Sequence, residues 1–299
     1  MRTYRQSASR FSSKYLRLSI LCFLILLTSF MVSACSRASR PSSSITVAGS
    51  TSVQPFMELL AEEYARLYPE KPAINVQGGG SSAGARSVLS GAASIGMLSR
   101  ELAPEEQGLD ALVIAKDAIA VIVNPKNPIR ELSIRDLRAI FSGEITDWGQ
   151  LIGAGERGDF RGRIHVVSRE EGSGTRGAFD EMIMEGREVT PRAIFQDSNG
   201  SVKETVAQDP MAIGYISLGL VDHDVKPLSI DGVAPTIENC KAGKYALVRP
   251  FLVVTKGEVR PEVREFLDFI MGETGQKILR EEGLITGGQG ATALEAKSK

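Results

Sequence analysis

The chain has 299 residues, with 35 Lys and Arg against 36 Asp and Glu, and a formal net charge of −1. A balance this even speaks against the broad basic surface that nucleic acid selects. With 3 cysteines and 2 histidines and no Cys/His spacing of ligand type, the composition also offers no metal centre and no disulfide framework.

The chain opens with five basic side chains, Arg2, Arg5, Arg10, Lys14 and Arg17, and no acidic one before the apolar run Leu18 to Val32. Charge, length and order over residues 1–34 are those of a signal peptide. The segment ends Val32-Ser33-Ala34-Cys35, which resembles the lipobox of bacterial lipoproteins. That resemblance implies a lipid on Cys35 as the first mature residue, membrane attachment through it, and a globular part facing the periplasm or exterior. The run is also nearly long enough to act as an uncleaved anchor. Cleavage would take five of the 35 basic residues, leaving 30 against 36 acidic ones, and would leave Cys240 without an internal disulfide partner. Residues 35–44 are serine-rich and read as a flexible tether.

The first structural unit starts at Ile45-Thr46-Val47-Ala48, a short strand that runs into Gly49-Ser50-Thr51-Ser52. Pro55 fits a first helical turn, and Phe56, Leu59, Leu60, Tyr64 and Leu67 predict one apolar helix face. Ile74-Asn75-Val76 then leads into Gly78-Gly79-Gly80-Ser81-Ser82 and a short helix around Val88 and Leu89. Ala93 to Arg100 reads as a strand closing on Ser99 and Arg100. Ala111 to Ala115 and Ala118 to Val123 read as core strands, the second carrying the chain into another lobe. Ser133 caps a helix, and a segment from Phe141 to Trp148 closes it. Ile164 to Val167 predicts a buried strand, and Phe179, Met182 and Ile183 predict a helical face beyond it. Ile213 to Ile216 and Leu247 to Val254 are further strands, and Val263, Phe266, Leu267 and Ile270 mark a last amphipathic helix. Alternating strands and helices predict an α/β protein.

Between the strand Ile164 to Val167 and its helix lies Ser168-Arg169-Glu170-Glu171-Gly172-Ser173-Gly174-Thr175-Arg176. Glycines let backbone N–H groups come close to a ligand, hydroxyls donate beside them, and a helix N-terminus adds partial positive charge. Arg169 adds a planar donor fork suited to an oxyanion. An ordinary capped, glycine-rich turn would read the same way. The grammar recurs at Gly49-Ser50-Thr51, at Gly80-Ser81-Ser82 and, more weakly, at Asp197-Ser198-Asn199-Gly200-Ser201, which suits one dehydrated oxyanion held by several helix N-termini. A dinucleotide loop is a poorer fit to Gly78, Gly80 and Ala83, with Glu101 as its acid, because serines fill the unspecified positions and soluble nicotinamide cofactors are scarce outside the cytoplasm. Ser173 does not sit in G-x-S-x-G, because Glu171 holds the first glycine position, and His165 and His223 fall in a strand and a polar turn. No catalytic set and no cofactor is expected.

Together with Ile95-Gly96-Met97, Phe141-Ser142-Gly143 and Ile145-Thr146-Asp147-Trp148, these motifs resemble the PstS family, the phosphate-binding lipoprotein of the bacterial phosphate-specific ABC importer. The likeness covers essentially all of residues 45–290. It implies a type II periplasmic-binding-protein fold, α/β, with two lobes joined by two crossing strands: 45–119 plus 247–290 as lobe I, 120–246 as lobe II and 291–299 as a tail. It implies a monomer that takes inorganic phosphate to a membrane permease and its ATPase, with Ser50, Thr51, Ser52, Ser81 and Ser99 meeting phosphate from one lobe and Arg169, Ser173, Gly174 and Thr175 from the other. Sulfate or molybdate, or an exported phosphate-ester hydrolase, are the alternatives. Some relatives carry an aspartate at the turn corresponding to Arg100, where it accepts the hydrogen of hydrogen phosphate and rejects sulfate. Glu170 or Glu171 is the expected replacement, unless either merely holds Arg169 in an ion pair.

Overall fold

In a computed structural model, residues 44–151 and 160–287 are described. The signal segment, Cys35, nearly all of the tether and the tail lie outside them. Strand β1 (Ile45–Gly49) leads to α1 (Gln54–Leu67), β2 (Ile74–Gly78) to α2 (Ser81–Leu89), and β3 (Ile95–Leu98) to the long β4 (Asp110–Val123). Then follow β5 (Glu131–Leu132), α3 (Ile134–Ser142), β6 (His165–Arg169), α4 (Gly174–Phe179), β7 (Ile194–Gln196), α5 (Asn199–Gln208) and β8 (Ala212–Ser217). The chain closes with β9 (Lys226–Pro227), β10 (Ser229–Ile230), α6 (Ile237–Lys241), β11 (Val248–Thr255), α7 (Pro261–Met271) and α8 (Glu273–Glu281). No helix among the described residues is long and apolar enough to cross a membrane.

One sheet runs β2-β1-β3-β11-β4-β8-β6-β7, with β9 also on β4. The β1–β2, β1–β3, β6–β7 and β6–β8 pairs are parallel, as strand–helix–strand units require, while β11 is antiparallel to both β3 and β4. Ala111 to Ala115 and Ala118 to Val123 are one 14-residue strand and not two, because Lys116 and Asp117 keep the ladder, opposite Pro250 and Arg249. The first half of β4 pairs with β11 and the second half with β8, from Ile119 on.

The core divides along the same line. Ile45, Met57, Leu60, Met97, Ile114, Phe251, Phe266 and Ile270 pack on one side of it, and Val121, Leu137, Phe141, Trp148, Phe179, Ile213 and Tyr215 on the other. Each half of the sheet is covered on both faces. Val121 and Val123 enter one cluster while Ala120 and Ile122 enter another with Val202, Val206 and Ile216, so the two faces of β4 are both buried although its neighbours run antiparallel to it.

Two expected helix faces are corrected. Helix α1 buries Phe56, Met57, Leu60, Ala61 and Tyr64, leaving Leu59 and Leu67 38% and 40% exposed. At about 3.6 residues per turn Leu59 falls beside that stripe, and Leu67 is the helix's last residue. After Phe179 the helix widens into a π turn, Asp180–Met184, ending at Glu185 with φ 48°. The wider turn carries Ile183 and Met184 into the core and leaves Met182 half-buried.

Candidate functional site

Four helix starts meet where the two halves of the sheet face each other. Before α1, Ser50 Oγ accepts from the N–H of Ser52 at 3.2 Å and of Val53 at 3.4 Å, which folds Gly49 to Ser52 into a compact turn. Gly49 is required there: its φ is +140° and a Cβ would stand 2.3 Å from the Met97 carbonyl oxygen. Ser173 Oγ caps α4 by accepting from Arg176 N–H at 3.3 Å, and Ser198 Oγ caps α5 by accepting from Ser201 N–H at 3.1 Å. The first N–H groups of each helix, those of Ser81, Gly174 and Thr175 among them, have no acceptor within their own helix.

The hydroxyls at these starts form one buried cluster. Ser50 Oγ donates to Ser99 Oγ at 2.9 Å, and Ser99 N–H donates to Ser81 Oγ at 3.1 Å. Ser52 Oγ lies 2.8 Å from Thr175 Oγ1, and Ser82 N–H donates to the Gly172 carbonyl at 3.1 Å, so the two sides touch through side chain and backbone. Ser50, Ser52, Ser81, Ser99, Ser173 and Thr175 are all buried. Gly174 permits the approach, since a Cβ on it would be 2.1 Å from Ser81 Oγ and 2.6 Å from Ser99 Oγ.

Arg169, 1% exposed, closes the cluster from β6. Its Nε and Nη2 each donate to Glu170 at 2.9 Å, its Nη2 reaches Thr51 Oγ1 at 3.2 Å, and the carbonyls of Gln196 and Asp197 hold its outer edge. Its Nη1 is buried with no hydrogen-bond partner among the described residues. An orphaned cationic donor beside free helix-start N–H groups matches an oxyanion in charge and geometry. Beneath lies a second pair: Arg249 on β11 donates to Asp117 Oδ2 on β4 through Nε at 3.1 Å and Nη2 at 2.9 Å. The same Nη2 donates to Ser52 Oγ at 3.1 Å, and Asp117 Oδ1 accepts from Ser217 Oγ at 2.8 Å. Burial pushes the Asp117 carboxyl up and the Arg249 guanidinium down, and their attraction for each other works against both shifts.

The structure therefore gathers Ser50, Thr51, Ser52, Ser81, Ser99, Arg169, Ser173, Gly174 and Thr175. Glu170 is committed to Arg169, and Glu171 is exposed. Arg100 turns away from the hydroxyls, with a bidentate pair to Glu106 at 2.7 and 2.8 Å and a bond to Ser82 Oγ at 3.0 Å, so the strand-end residue facing the cluster is Ser99. His165 bonds Asp209 at 2.6 Å and His223 is exposed. Sequence reasoning left Asn199, Asp117, Ser217 and Arg249 out of the site. A signal existed: Asp117 and Arg249 are opposite charges in otherwise apolar strands, and Asn199 sits inside the weakest copy of the recurring motif.

Two lobes on a shared pair of long strands, with an anion-fitted cleft of helix starts between them, define a type II periplasmic binding protein. Residues 36–274 match the family described as "PBP superfamily domain". The chain belongs to the PstS family of phosphate-binding proteins. It is 36% identical to PstS of Bacillus subtilis (strain 168) over 253 residues, 82% of this chain and 81% of that protein, and 30% identical to PstS of Pseudomonas aeruginosa over 277 residues, 83% and 84% respectively. Among solved structures, a phosphate ABC transporter substrate-binding protein from Clostridium perfringens with bound phosphate superposes with a TM-score of 0.77 at 40% identity, over 82% of this chain and all of that one. An ABC-type phosphate transport receptor from Vibrio cholerae superposes with a TM-score of 0.67 at 36% identity, over 81% of this chain and all of that one.

Proposed function

We propose that this chain captures inorganic phosphate between its lobes and delivers it to the permease and ATPase of an ABC importer. The observation that carries the reading is the buried Nη1 of Arg169, without a hydrogen-bond partner among the described residues, on a side chain whose Nη2 reaches the hydroxyl cluster at Thr51. Phosphate exchanges water for these N–H and O–H donors and holds lobe 45–119 plus 247–290 against lobe 120–246. The chain acts by binding without chemistry, as a monomer held to the membrane by a lipid on Cys35, outside the cytoplasm.

One observation favours a second reading, another tetrahedral oxyanion such as sulfate. Both carboxylates next to the cluster already accept from protein donors, Glu170 from Arg169 and Asp117 from Arg249 and Ser217, which leaves each with less to offer a hydrogen of the ligand. Calorimetric titration of the full chain in detergent, refolded to strip anion, with phosphate, arsenate, sulfate and molybdate decides between them. Tight one-to-one phosphate and arsenate binding with weak sulfate binding is expected; a preference for sulfate or molybdate would overturn the ligand and keep the fold. Glu170→Gln is expected to weaken phosphate and sulfate alike by about tenfold through Arg169, and Glu171→Gln to leave both within about twofold. A change of phosphate-over-sulfate preference in either variant would return the acceptor role to that glutamate.

A further inference from the structure

We infer that Asn199 sets the direction of the hydroxyl protons in the cleft, making Thr51 and Thr175 obligatory donors toward the bound anion. The inference rests on the phosphate reading above. Asn199 is 1% exposed at the start of α5. Its Oδ1 accepts from the Ser217 N–H at 3.2 Å. A backbone N–H can only donate, so the amide cannot flip and both Nδ2 protons face the hydroxyls. One goes to Thr51 Oγ1 at 3.2 Å and the other to Ser52 Oγ at 2.9 Å.

A hydroxyl has two acceptor sites and one proton. Thr51 Oγ1 accepts from Asn199 and shares the second Arg169 Nη2 proton with the Asp197 carbonyl, and Ser52 Oγ accepts from Asn199 and from Arg249 Nη2. Both are thereby saturated as acceptors. Thr51 is left with its proton alone to offer. Ser52 gives its own to Thr175 Oγ1, 2.8 Å away, which turns the Thr175 proton outward. The contact from Ser52 to Thr175 spans the two lobes, so the relay is complete only when they are closed. Donors fixed as the lobes close stay aimed at the anion, and they repel a ligand that presents hydrogens at those positions. Any acceptor for a ligand hydrogen then lies elsewhere in the cluster, where Ser81 and Ser99 are not saturated by charged donors.

The test substitutes an acceptor for the donor, Asn199→Asp, and reads inorganic phosphate affinity of the full chain by calorimetry, alone and with Thr51→Val. An ionised carboxylate would accept from Thr51 and Ser52 and reverse the relay; a protonated one can donate again. The groups facing it are Arg169 and Arg249, with Glu170 and Asp117 behind them. We expect Asn199→Asp to lose about 100-fold at about pH 8 and less than about tenfold at about pH 5, relative to wild type at each pH. In the Thr51→Val background its cost is expected to shrink at least about tenfold, because one of the two reversed hydroxyls is gone. A loss equal in both backgrounds, as simple charge repulsion on the anion would give, overturns the inference, and so does a loss independent of pH. If Asn199→Asp shows no cooperative melt, Asn199→Ala is run through the same cycle with Thr51→Val, and additive losses overturn it. A wild-type chain that binds no phosphate would instead refute the function.

Discussion

Arg169 and Gly174 carry the anion argument at the scale of single residues. Glu170 holds the Nε–Nη2 edge of the Arg169 guanidinium and leaves Nη1 without a partner among the described residues, a division a lysine's single ammonium cannot make in the same way. Arg169→Lys is expected to weaken phosphate binding by about 10- to 100-fold, checked by calorimetry. Gly174 acts through what it lacks. Gly174→Ala puts a methyl where Ser81 and Ser99 Oγ stand at 2.1 and 2.6 Å, and so holds the lobes apart. Its apo melting temperature should stay within about 2 °C of wild type, since parted lobes take Ser81 and Ser99 out of the methyl's way and alanine favours the helix, while phosphate affinity falls at least about tenfold. Equal affinity in Gly174→Ala would show that the cleft need not close to this distance.

At the scale of elements, β4 and β11 are the parts both lobes share, and each carries one buried charge, Asp117 and Arg249, paired at 2.9 Å. Removing one partner leaves the other buried and uncompensated. Asp117→Asn is therefore expected to cost about 3 to 5 kcal/mol in a urea melt, while Asp117→Leu with Arg249→Met costs less than either single change. The helices were legible to different degrees. α3 announces itself with Ser133 at its N-cap and Gly143 in the left-handed conformation at its end, φ 82°. α8 and the short α6 carry no comparable signal before the structure: α8 follows α7 across one glycine, and α6 is five residues long. The strands β7, β9 and β10 are two or three residues long, too short for alternation to be counted.

At the scale of the whole molecule, charge pairing shapes both binding and acid stability. Each cleft arginine has its own carboxylate, so recognition rests on short-range dipoles, and phosphate affinity is expected to change by less than about threefold between about 0.05 and 0.5 M salt. Burial raises the Glu106 carboxyl, but two hydrogen bonds from Arg100 and one from the Ala103 N–H lower it further, to a net position below the usual carboxylate range. A folded value below the unfolded value of about 4.3 means the stabilisation is present above that pH and is lost as pH falls through the folded value. Melts taken from about pH 6 down to about pH 3 should fall more steeply for wild type than for Glu106→Gln. Parallel curves would remove Glu106 from the acid-sensitive set.

What the chain determines by itself is local: the glycine and hydroxyl turns at Gly49-Ser50-Thr51, Gly80-Ser81 and Ser173-Gly174, the strand and helix alternation, and the presence of Arg169 at a strand end. These depend on backbone freedom, capping and periodicity, which act over a few residues. Only the tertiary structure decides that Glu170 holds Arg169, that Arg100 turns to Glu106 instead of the cleft, and that Asn199, Arg249 and Asp117 underlie Thr51 and Ser52. Those pairings join residues up to 197 positions apart. Hydrogen-bond direction in a buried cluster depends on which groups the fold brings within about 3 Å, and no local pattern encodes that.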